Sequence, residues 1–107
     1  MNDPTYVEAA RVFAQRILAE GGVSTESRFV FAFRTAVARA PAPQELEVLH
    51  QLYHQQYAIY EQDQEAAMKI ISAGESPVPE GLEQVEHATW TALASIILNL
   101  DETVTRE

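Results

Sequence analysis

Residues 88–98 carry no charge, and two threonines and a serine are their only polar members. A helix that is apolar on every side has to lie inside its domain. The run is too short to cross a bilayer, which takes about 20 residues. It is therefore read as the centre of a small core. It closes on Leu98-Asn99-Leu100-Asp101-Glu102. Two acids thus stand where the helix dipole prefers cations. That mismatch calls for a partner, a cap or a site.

The rest of the chain supplies helices to surround this run. Asp3-Pro4 reads as an N-cap and a first-turn proline. Tyr6, Val7, Ala10, Phe13, Ala14, Ile17 and Leu18 then recur at helical spacing until Gly21-Gly22 stops them. Ser24 or Thr25 caps a second helix with Phe29, Val30, Phe33, Ala36 and Val37 on its apolar face, ended by Ala40-Pro41. Pro43 opens a third, lined by Leu46, Leu49, Tyr53 and Tyr60. Asp63 caps a short fourth that Gly74 closes. Beyond a loop stiffened by Pro77 and Pro79, a fifth helix is expected over about residues 82–100, roughly 30 Å long. No segment alternates polar and apolar residues as a strand does. The expected fold is all-α, a compact bundle of about five helices with the C-terminal helix central. Residues 1–107 form a single domain. The cap straight after Met1 and the early finish read as a piece cut from the C-terminus of a larger protein.

Composition narrows the chemistry. With no cysteine there are no disulfides, thiolate metal sites, cysteine nucleophiles or covalently attached haem. The net charge of −9 is uneven. Residues 1–40 hold five arginines against four acids, for +1, and residues 41–107 hold Lys69 and Arg106 against twelve acids, for −10. Such a surface repels phosphate backbones, so nucleic acid is not an expected partner. No membrane span, no cofactor and no signal peptide are expected.

Candidate sites are few. Glu47, His50 and His54 share the spacing of a Glu-x-x-His ligand set, but a di-iron bundle needs a second copy and two more Glu. The helical wheel turns these three toward water, so a polar helix face is the alternative. Glu86 lies on a stripe with Leu82, Trp90, Leu93 and Ile97. A carboxylate there must pair, protonate or lie near the edge. It is either a first-turn acid suited to the dipole or a perturbed catalytic acid. His87 beside it is a candidate pH-sensitive neighbour. Arg34 or Arg39 is expected to pair with Asp101 or Glu102, unless Asp101 caps a short final turn. Tyr53, Tyr57 and Tyr60 offer either a carbohydrate-stacking strip or core packing with hydroxyls at the rim.

Several short signatures occur in order: Asn2-Asp3-Pro4 and Glu8-Ala9-Ala10-Arg11, then Ala32-Phe33-Arg34, Arg39-Ala40-Pro41 and Glu45-Leu46. Gly74-Glu75-Ser76-Pro77, Trp90-Thr91, Leu98-Asn99-Leu100-Asp101-Glu102 and Thr105-Arg106-Glu107 follow. Together they resemble the C-terminal region of the planctomycete cytochrome-associated domain family, large and usually exported bacterial proteins that often carry a cytochrome c-like haem domain. The resemblance implies an extracytoplasmic parent, with a role linked to electron transfer or polysaccharide breakdown. It implies no catalytic residue in this region. Two function classes follow. One is a non-catalytic interaction or scaffolding module that packs on the rest of its parent or on a protein partner. The other is an enzyme domain lending Glu75, Glu86, Asp101 and Glu102 to an active site completed elsewhere in the parent.

Overall fold

A computed structural model describes residues 4–72 and 83–105, with side chains over 8–72 and 83–99. Five helices follow in order: α1 (Pro4–Glu20), α2 (Thr25–Val37), α3 (Pro43–Gln62), α4 (Gln64–Ile71) and α5 (Gln84–Thr105). The fold is all-α, and α5 packs against each of the other four, α1 most extensively.

Local chemistry sets most of the boundaries. Pro4 occupies the first position of α1, where its missing N–H costs nothing. The Gly21 amide closes α1 on the Ile17 carbonyl at 2.8 Å. Gly22 follows at φ 91°, a backbone conformation that side chains with a Cβ avoid. The turn is then stitched to α2. Ser27 Oγ donates to the Gly21 carbonyl at 2.7 Å and Arg28 Nε to the Gly22 carbonyl at 3.1 Å. Ser24, of the two candidates, is the cap, its Oγ accepting from the Ser27 amide at 3.0 Å.

The second helix stops at Val37, before the Ala40-Pro41 boundary, because Ala38 turns left-handed at φ 67°. A left-handed alanine costs roughly 1–2 kcal/mol. Ala38→Gly is therefore expected to raise stability by about 1 kcal/mol, read as a higher urea midpoint with an unchanged slope.

At the start of α3, Glu45 accepts from the Ala42 amide at 2.8 Å while gripping Arg39 through two bonds of 2.7 and 2.9 Å. The Arg39 hydrogen bond, then the Ala42 amide, hold the Glu45 carboxyl down at about 2. Arg39 in turn lies over the Phe33 ring at 5.3 Å. Asp63 serves two helices. Its amide closes α3 on the Ile59 carbonyl at 2.9 Å, and its Oδ1 caps α4 at the Ala66 amide at 3.1 Å.

Glu83 caps α5, with Oε2 accepting from the Glu86 amide at 2.7 Å. The buried threonines do not break the apolar character of this helix. Thr89 Oγ1 donates to the Val85 carbonyl at 2.7 Å and Thr91 Oγ1 to the His87 carbonyl at 2.8 Å, so both hydroxyls are satisfied within the helix. The helix starts at Gln84 and runs on to Thr105, past the expected end near Leu100. Asp101 therefore lies within α5 and does not cap a separate final turn.

The main core gathers Ala10, Phe13, Ala14 and Ile17 from α1, Phe29, Ala32 and Phe33 from α2, and Leu49 from α3 around Trp90, Leu93, Ala94 and Ile97 of α5. A smaller cluster of Ala67, Ile71 and Ala88 seats α4. Among the described residues no helix is long and apolar enough to cross a membrane.

Candidate functional site

Three aromatic rings from three helices meet beneath the first turn of α5. Phe29 and Trp90 are 5.0 Å apart, Tyr53 and Trp90 5.8 Å, and Phe29 and Tyr53 6.4 Å. The Glu86 carboxylate sits over this triad. It accepts from Trp90 Nε1 at 2.9 Å on Oε1. The Tyr53 hydroxyl lies 2.7 Å from Oε2 and 3.0 Å from Oε1, so its single proton is directed chiefly at Oε2. Arg28 brings a guanidinium nitrogen to 3.8 Å from Oε1. The acid on the apolar stripe is thus paired, and it occupies the first turn of α5 where the dipole favours it.

The phenols of α3 are held protonated. Burial, then the hydrogen bond to Glu86, push the Tyr53 phenol above its ordinary value. The Glu83 charge first, then burial and the charges of Glu86 and Glu61, raise Tyr57. Burial raises Tyr60. Phenols shifted this way serve as donors and packing surfaces, and are poor bases or nucleophiles at neutral pH. Tyr53 and Tyr57 stay together, rings 5.9 Å apart, whereas Tyr60 packs against the α4 cluster. The three tyrosines therefore do not present one continuous strip.

The other carboxylates offered as site residues are not brought to Glu86 by the described structure. Glu75 lies outside the described residues, as does Leu82. Asp101 and Glu102 belong to the last turns of α5, and their side chains lie outside the description. Asp101 is about 22 Å from Glu86 along one continuous helix. Arg39 makes a two-bond contact with Glu45, while the expected pairing of Arg34 or Arg39 with Asp101 or Glu102 falls on side chains outside the described residues. Glu45 lies just across the Pro41–Pro43 turn from Arg39. Arg34 is exposed near the end of α2.

The Glu47, His50 and His54 set is also dispersed. Glu47 and His54 are exposed, but His50, expected to face water, is half-buried with its ring edge-on to Phe29 at 4.9 Å. Its position flanks Leu49, and the buried stripe of α3 is wide enough to include it. His54 packs edge-on to Tyr53 at 5.6 Å. Among the described residues no three His, Asp or Glu side chains converge as an ion would require.

Two features escaped the sequence reading. Arg11 and His87 are completely buried. His87 directly precedes the apolar run of residues 88–98, and that was the available signal. The other is an apolar groove of about 230 Å³ between α2, α3 and α5. Phe33, Leu49, Leu52 and Ile96 form its floor and walls, and Val48, 53% exposed, stands at its edge. Its one carboxylate among the described residues is Glu45, already engaged by Arg39. No protein-family model, no curated protein and no solved structure matches this chain.

Proposed function

We propose that this domain is a non-catalytic helical interaction module that docks an amphipathic helix from elsewhere in its parent protein. The supporting observation is the open apolar groove, with Val48 half out in solvent beside it. Charge supports the choice of occupant. The third helix, which forms one wall, carries Glu47 and Glu61 in addition to the Arg39-bound Glu45, and no lysine or arginine. A helix with large apolar side chains on one face and basic residues beside them complements such a wall. The parent is read, from the resemblance to the planctomycete cytochrome-associated domain family, as a large exported bacterial protein working outside the cytoplasm. Electron transfer or polysaccharide breakdown would belong to its other parts.

The test is calorimetric titration with a synthetic amphipathic helix of about 18 residues, leucines along one face and lysines along the other. Saturable binding is expected. Val48→Glu should weaken it by roughly tenfold or more, while stability changes by no more than about 0.5 kcal/mol because the site is exposed. Ile59→Glu, equally exposed on α3 but outside the groove, should leave binding intact. Absence of binding, or equal binding by Val48→Glu, contradicts the proposal.

A further inference from the structure

His87 is an ionisable ring placed where a second charge cannot be accommodated. It is fully buried, and neither ring nitrogen has a hydrogen-bond partner of ordinary geometry. The nearest help is the Arg11 backbone, which favours the protonated ring only weakly. Arg11 itself is fully buried on α1, with a guanidinium nitrogen 3.9 Å from Glu8. Among the described residues, the charged groups on the elements around α5 offer the ring no counter-ion. On α5, Glu83 caps the helix and Glu86 is taken by Tyr53, Trp90 and Arg28 of α2. On α4, Glu65 and Lys69 are exposed and lie beside each other. On α3, Glu45 holds Arg39, and Glu47 and Glu61 are exposed. Of all these charges, the Arg11 guanidinium is the one that bears on the ring, and it repels a proton there.

We propose that His87 makes the α1–α5 seam acid-labile: a proton bound by its ring places an imidazolium beside a buried guanidinium and forces α1 away from α5. This seam includes Ala10, Phe13, Ala14 and Ile17, so its opening exposes the main core. Burial first, then the Arg11 charge, hold the histidine below its ordinary value. The sign follows from that direction. The unfolded chain takes up a proton near pH 6.5 and the folded one does not, so stability is complete above about pH 6.5 and falls as pH drops below it. Carboxylates titrate mostly below about pH 5, so between there and neutrality imidazole is the side-chain type that changes charge. Each proton taken up reduces the net charge of −9 in magnitude. Relief of self-repulsion would by itself stabilise the fold. A loss of stability in this window therefore has the opposite sign from the general charge effect.

Urea unfolding of the full chain between about pH 7.5 and 5.5 tests this. The unfolding constant of the wild type is expected to rise, approaching tenfold per pH unit below about 6.5, with α1 amides losing hydrogen-exchange protection first. His87→Gln should flatten that dependence, whereas His50→Gln/His54→Gln should retain it. A pH-independent wild type, or an undiminished slope in His87→Gln, overturns the proposal. Should His87→Gln fail to fold, the NMR titration of the wild-type ring decides. A ring that stays neutral in the folded protein below pH 6 agrees, and one that titrates near 6.5 without loss of structure overturns it.

Discussion

Trp90→Ala is expected to cost about 3–5 kcal/mol and to bring the domain close to unfolding at room temperature. Trp90 is the largest fully buried side chain, and it touches Phe29 of α2 and Tyr53 of α3. Removing it opens a cavity where three helices meet. It also deprives Glu86 of the Nε1 proton at 2.9 Å. The two losses are separable. Trp90→Phe keeps an aromatic ring and removes the donor, so a smaller penalty of about 1–2 kcal/mol is expected. Denaturant unfolding of the two variants measures both. Equal effects would show that the hydrogen bond, and not the volume, dominates.

Glu86→Leu is the second large perturbation, with an expected cost of about 3 kcal/mol. Its parts are unequal. Trp90 is fully buried, so its stranded N–H pays the full desolvation penalty. Tyr53 is partly buried, and its hydroxyl has some access to water. The Arg28 contact, at 3.8 Å between side chains 20% and 26% exposed, contributes about 1 kcal/mol at most after solvent screening. An apolar replacement recovers some packing but leaves the donors orphaned. A thermal shift of roughly 10–20 °C is expected, and near-neutrality would mean that water replaces the carboxylate without loss.

Much of this architecture is legible in the chain because helix boundaries are written in local chemistry. Gly21-Gly22, Ser24, Pro43 and Asp63 act within a turn or two of their own positions, and each does in the structure what its residue type predicts. Ends that depend on context are harder. Asp101 and Glu102 look like a stop, yet no glycine or proline follows Leu100 before Arg106, and α5 continues to Thr105. Ala38 ends α2 in a left-handed conformation that nothing in alanine itself announces.

The site divides in the same way. That Glu86 shares a stripe with Trp90 follows from helical spacing alone. That its partners are Tyr53, 33 residues away, and Arg28 depends on how α2 and α3 are rotated against α5. Periodicity shows which face of a helix is apolar but not which residue of another helix meets it. The partners that the arginines take depend on the same rotation. Arg39 found Glu45 next door, and Arg28, never singled out, reached Glu86. His50 illustrates a milder case, since a residue at the border of an apolar stripe is covered or bare according to its neighbour, here Phe29. The groove, made by three helices at once, has no signature in any one of them.

What distinguishes a structural carboxylate from a catalytic one at Glu86 is whether its bonds hold the helices together. A double-mutant cycle on Tyr53→Phe and Glu86→Gln, read by urea unfolding, measures this directly. If the carboxylate fastens α3 to α5, the two substitutions are expected to couple by about 1–2 kcal/mol. Additivity within about 0.5 kcal/mol would show that the Tyr53–Glu86 contact carries no net stability, and would contradict the structural role assigned to Glu86.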